Sequence, residues 1–168
     1  MDKYQDRYLE HIENKLKREQ EKTVYKVEDI IILTKVMTRR KSIRRFNGKH
    51  AKHIKHLLDY ATYQAPSSCN RHGIYLQEVS PAYAEKVLVG GKGWVGSADR
   101  VFFLFGAKQC YKNPIEIPFM PYLDAGHVSQ NIQLMCEVNN IGCCFVNPNA
   151  REPVGDDYFC GAIAVGDY

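Results

Sequence analysis

Two short segments concentrate the side chains able to do chemistry. Arg40-Lys41-Ser42-Ile43-Arg44-Arg45-Phe46 gathers guanidinium, ammonium and hydroxyl donors into one stretch of chain. Such donors match the acceptor oxygens of a phosphate, and guanidinium groups do so with fixed fork geometry. Ala65-Pro66-Ser67-Ser68-Cys69-Asn70-Arg71-His72 places hydroxyl and amide groups in a polar loop between a helical pattern and a strand pattern. Groups of that kind can read the edge of a flat, polar ring. Together the segments predict a small ligand that carries both a phosphate and a heterocycle.

Competing readings of the same residues come from charge. Of the net +4, residues 1–45 hold 13 Lys/Arg against 8 Asp/Glu, so the excess lies at the N-terminal end. A basic run there suits a phosphate ligand, a nucleic-acid backbone, or simply the negative pole of a helix C-terminus. A total of +4 is too modest to argue for nucleic acid by itself. His50, His53 and His56 stand at spacings that can share a metal, but Lys49, Lys52 and Lys55 between them repel a cation, so no metal is expected. The six cysteines form no C-x-x-C pair, and buried, reduced thiols are the expectation.

The elements that must position these residues follow from periodicity. At 168 residues one core is expected, with no apolar run long enough to span a membrane and no signal-peptide pattern, which points to the cytoplasm. Tyr4, Tyr8, Ile12 and Leu16 recur every four positions and predict a narrowly striped helix over 2–22. A second helix opens at Glu28-Asp29 and ends at Arg39-Arg40-Lys41, and a third covers 50–64 with Ile54, Leu57, Leu58 and Ala61 inward. Strands are expected at 73–79, 101–105, 143–146 and 162–165, with a short helix around 82–89. Residues 121–139 form the strongest helix pattern, its apolar positions spread widely enough to predict a buried central helix, with Asn140 as its left-handed stop. The irregular alternation predicts an α+β fold, with helices flanking a sheet.

In that order the motifs resemble the FMN-dependent nitroreductase family. Four features carry the likeness: the phosphate segment Arg40 to Phe46, the A-P-S-x-x-N loop Ala65 to Asn70, Leu123-Asp124-Ala125-Gly126 with Gln130-Asn131 downstream, and the strand Ala162 to Gly166. Ser68-Cys69-Asn70-Arg71 with Gly90-Gly91-Lys92-Gly93-Trp94 is similar to a subgroup often associated with polysaccharide gene clusters. The resemblance covers 37–168 and implies a three-layer α-β-α sandwich around a mixed, mainly antiparallel sheet. Residues 1–36 would then be a helical extension that contacts the partner in a homodimer.

The resemblance also implies site roles. Arg40, Lys41, Ser42 and Arg44 would hold the FMN phosphate and ribityl chain. Asn70 would bond the pyrimidine edge, with Pro66, Ser67 and Ser68 shaping the ring pocket, and Val146 and Asn147, next to Phe145, would lie along the flavin. Arg71 and His72 are candidates to stabilise charge on the reduced ring. The implied activity is hydride transfer from NADH or NADPH through FMN to a nitroaromatic, quinone or similar small acceptor, with no catalytic nucleophile on the protein and no nucleic-acid or membrane partner. Two departures favour an alternative, a flavin-binding protein without efficient turnover. Pro148 stands where relatives often offer a free N–H, and Gly166-Asp167-Tyr168 stands where relatives continue into a basic arm.

Overall fold

The computed structural model describes residues 26–47 and 54–168. The chain divides into two compact units, Met1–Lys35 and Val36–Tyr168. Helix α1 (Val27–Arg39) runs across that boundary, with Glu28 and Asp29 in its first turn and Arg39 in its last, as the helix dipole favours. Asp29 Oδ2 accepts the Lys26 backbone N–H at 2.9 Å and closes the first turn. No residue of α1 is buried, and Ile30, Ile31, Leu33 and Met37 are exposed. The helix expected over 2–22 lies outside the described residues, as do His50, His53 and the start of the third helix.

The second unit is built on four strands in the order β1-β2-β4-β3, namely β1 (Ile74–Val79), β2 (Arg100–Gly106), β3 (Gly142–Val146) and β4 (Tyr158–Gly166). Every pairing among the described residues is antiparallel, so the mixed character expected of the sheet is not seen in them. The unbroken apolar run of β2 is explained by its place: it is central, and both its faces are covered. Phe102 and Leu104 point to one core with Ile163 and Val165 of β4. Val101, Phe103 and Phe105 point to the other with Ala162 and Ala164. Helices α2 (Ile54–Tyr63) and α4 (Met120–Val138) close the first core through Ile54, Leu58, Ala61, Val128, Ile132 and Cys136. Helix α3 (Pro81–Val87) and Val95 close the second. The result is the expected helix–sheet–helix sandwich.

Two differences from the sequence reading have physical causes. Helix α4 is not buried all round: Leu123 and Val138 are exposed, whereas Asp124 is 1 % exposed. Apolar residues spread around a helix do not by themselves say which flank a neighbour covers, and here α2 and the sheet cover one half. Strand β4 begins at Tyr158 rather than 162, because Gly161 has φ +121° and the pairing with β2 shifts between Leu104 and Phe105. That bulge interrupts the alternation by which strands are recognised. The loop Gly90 to Trp94 is ordered by Gly93 at φ +86° and by a short 3-10 turn at Val95–Ser97. The stop of α4 is as expected, with Asn140 at φ 54° and Ile141 N–H donating to Cys136 O at 2.9 Å.

Candidate functional site

The cationic segment leaves α1 as extended chain and runs along the outer edge of β3. Ile43 N–H donates to Cys143 O at 3.0 Å, and Asn47 N–H to Asp167 O at 2.9 Å. Alternate side chains of extended backbone share a side. Ser42 and Arg44 therefore fall together against the Cys144 thiol, whereas the Arg40 N–H still closes the last turn of α1 on Val36 O. Burial pushes that thiol up, while Arg44, then Ser42 and Arg40, oppose the rise. Arg40 Nη1 also donates to Gln133 Oε1 of α4 at 3.0 Å, and the Arg44 guanidinium stands 6.0 Å from the centre of the Trp94 ring. Two cations and a hydroxyl within residues 40–44 form a donor set suited to a phosphate and its neighbouring hydroxyls. Lys41 has the other parity, and with Arg39, Ile43, Glu137 and Tyr168 it lines a cavity of about 160 Å³.

The Ala65–His72 loop is held in an unusual backbone. Cys69, Asn70 and His72 have φ of 52°, 53° and 47°, a region that residues with a Cβ seldom adopt. Asp124 Oδ1 accepts the Ser68 N–H at 2.9 Å, Ser67 Oγ accepts the His72 N–H at 2.9 Å, and His127 Nδ1 lies 3.2 Å from Pro66 O. These ties fix the loop and leave the Asn70 side chain exposed. Arg71 and His72 both have partners within the chain. Arg71 Nη1 pairs with Glu116 Oε2 at 2.8 Å, which raises its pKa, and the His72 ring stacks on Tyr63 at 5.1 Å.

Within one protomer the two segments do not meet. Pro66, Ser67, Ser68 and Asn70 precede β1, one edge of the sheet, while Arg40, Ser42 and Arg44 follow β3, the other edge. Three interstrand spacings, about 14 Å, separate those edges. The helix tells the same story. Asp124 and Asn131 face the loop and α2, Asn131 through its Nδ2–H to Ala61 O at 3.4 Å, whereas Gln133 faces Arg40. At 3.6 residues per turn Gln133 is about half a turn from both. Val146 is buried beside Ala162 at the end of β3, and Asn147 and Pro148 after it are exposed. A cavity of about 630 Å³ opens there, lined among others by Lys108, Tyr122, Pro148, Arg151 and Phe159.

Three residues of the site were given no role from the sequence: Asp124 and Trp94, quoted only within motifs, and Gln133. A signal existed for the first, because a carboxylate inside an apolar helical pattern must find donors or stay ionised at great cost. For Gln133 and Trp94 there was none, since their contacts are formed by chain 50 to 93 residues away.

No family model and no curated protein matches this sequence. Solved structures do match, and they show that the chain has the nitroreductase fold. A nitroreductase family protein from Streptococcus pneumoniae aligns with a TM-score of 0.67 and 17% identity over 80% of this chain and 89% of its own. An FMN-dependent nitroreductase from Clostridium difficile R20291 aligns with 0.62 and 18% over 79% and 85%. A protein from Desulfovibrio desulfuricans, solved in complex with FMN, aligns with 0.65 and 18% over 80% and 84%. Among the described residues no helix is long and apolar enough to cross a membrane, and no cluster of His, Cys, Asp and Glu is arranged to hold a metal.

Proposed function

We propose that this protein is an FMN-dependent oxidoreductase that works as a homodimer. The observation that carries the reading is the donor set of Arg40, Ser42 and Arg44 on the segment beside β3, in a chain with the nitroreductase fold. Bound FMN would supply hydride uptake from NADH or NADPH and its delivery to a nitroaromatic, quinone or similar small acceptor. The chain supplies binding and orientation. Arg40, Ser42 and Arg44 hold the phosphate and the adjoining hydroxyls, and Lys41 adds positive potential from the opposite side of the same segment. Val146 and Asn147 form the floor along the ring.

Asn70 reads the pyrimidine edge from a second copy of the chain, with Pro66, Ser67 and Ser68 of that copy walling the ring. Placement of the two segments on opposite flanks of α4 supports this division. The exposed apolar residues Ile30, Ile31, Leu33 and Met37 of α1 are suited to the same dimer. A second reading keeps the flavin and drops the turnover. Pro148 favours it, because it has no N–H to offer the ring where the chain leaves β3.

Purified protein titrated with FMN and then given NADH or NADPH with a soluble quinone tests both readings. A bound yellow flavin, flavin-dependent consumption of the nicotinamide and a dimeric mass are expected. Colourless protein that takes up no FMN overturns the proposal, and flavin uptake without turnover establishes the second reading.

A further inference from the structure

We infer that Trp94 is a positioning residue that sets the preference for the phosphorylated flavin by holding the Arg44 guanidinium in place. The inference rests on the FMN reading above. It starts from the Gly90-Gly91-Lys92-Gly93-Trp94 loop, which that reading leaves without a role.

The loop is built to present its tryptophan. Gly91 is packed so closely on Val95 that a Cβ there would stand 2.5 Å from Val95 Cγ2. Gly93 takes φ +86°, and its N–H donates to Glu85 Oε1 of α3 at 2.7 Å. Trp94 Nε1 donates to Gly90 O at 3.3 Å, which ties the indole back across its own loop. The indole is half-buried and faces the cationic segment, with the Phe46 ring stacked at 6.4 Å and 29° and the Arg44 guanidinium 6.0 Å from its centre. Phe46 and Arg44 share the side of the segment on which Ser42 also lies.

A guanidinium free in solvent must be ordered before it can make paired hydrogen bonds to a phosphate. An aromatic face at about 6 Å attracts the cation, restricts its rotation, and leaves its N–H edge free for an anion. Among the described residues Arg44 carries no ion pair to a carboxylate, and its guanidinium has the Cys144 thiol, a weak acceptor, as a hydrogen-bond partner that an anion can replace. Trp94 thus acts through Arg44 on the phosphate end of the ligand.

That distinction gives the test. FMN and riboflavin differ only in the phosphate, so the ratio of their affinities isolates the phosphate end from any general loosening of the fold. Quenching of flavin fluorescence is measured with full-length wild type, Trp94→Leu, Trp94→Phe, Arg44→Ala and the Trp94→Leu/Arg44→Ala double variant. Trp94→Leu is expected to lower the FMN-to-riboflavin ratio about fivefold, the size of an exposed cation–π contact. Trp94→Phe, which retains an aromatic face, should recover most of it, and Trp94→Leu should change nothing further once Arg44 is alanine. Equal losses for both flavins in Trp94→Leu, or a ratio left at the wild-type value, overturn the inference while the FMN reading stands. Wild type that binds neither flavin removes both.

Discussion

Asp124 and Ser68 are joined by a hydrogen bond that ties helix α4 to the loop carrying Asn70. Asp124 Oδ1 accepts the Ser68 backbone N–H at 2.9 Å, and its Oδ2 accepts the Tyr111 hydroxyl at 2.8 Å. The carboxylate is 1 % exposed, and Tyr111 is equally buried. Burial followed by the bond to Asp124 pushes the Tyr111 phenol far above its ordinary value, so it stays a donor at every working pH. Both oxygens of a buried carboxylate therefore have a partner, and neither donor is orphaned.

Removing that carboxylate leaves a buried phenol and a backbone N–H without an acceptor. Asp124→Ala is expected to lower stability by about 3 kcal/mol, since each orphaned buried donor costs about 1–3 kcal/mol. Asp124→Asn should cost less, because its amide can accept from Ser68 and donate to the phenol oxygen. Urea unfolding of the three proteins checks the order. In the folded Asp124→Ala protein, flavin binding should weaken more than the stability loss accounts for, because the left-handed residues Cys69, Asn70 and His72 lose their anchor.

How much of this was legible in the sequence divides along a physical line. Local periodicity marked α1, α4, β1, β2 and β3, and the polar stop at Asn140 has the left-handed backbone expected of it. The phosphate-type donors were legible as residue types, and extended backbone adds what composition cannot: Ser42 and Arg44 share a side that Lys41 does not, and Arg40 is turned to Gln133 of α4. Asp124 was quoted as part of a motif without its role, because a buried carboxylate is recognised only by the Ser68 and Tyr111 donors that meet it. The early part of β4 was hidden by the bulge at Gly161. Whether Arg40 and Asn70 meet was beyond any local reading. It depends on strand order, which places β1 and β3 at opposite edges.

The pair Glu78–Arg100 links β1 to β2 at the sheet edge, with Nε to Oε1 and Nη2 to Oε2 both at 2.6 Å. The Arg100 hydrogen bonds hold the Glu78 carboxyl below its ordinary value of 4.5. A folded-state value below the unfolded one contributes stability above the unfolded pKa and loses it as pH falls through the folded pKa. Wild type should therefore exceed Glu78→Gln by a constant amount above about pH 5.5, and the difference should shrink as pH falls below 4.5 through the lowered folded-state value. The Glu78 side chain is 41 % exposed. Solvent screening limits the plateau to about 0.5 kcal/mol, measured by urea unfolding across pH.

Gly161 is where the sheet is least able to accept a side chain. Its φ of +121° already disfavours any residue with a Cβ, and a Cβ built there would stand 2.6 Å from Val146 O and 2.7 Å from Phe145 Cζ. The first of those atoms is backbone of β3, which pairs with β4 through Phe145–Ile163 and Val146–Ala162 and cannot move aside without breaking that ladder. Gly161→Ala is expected to cost about 3 kcal/mol from backbone strain and close contact together. Unfolding midpoints in urea measure that loss. Because the displaced residues are Phe145 and Val146, the folded fraction of Gly161→Ala should also bind FMN and riboflavin more weakly by the same factor. Trp94→Leu is expected to spare riboflavin, so the two variants separate damage at the ring floor from damage at the phosphate end.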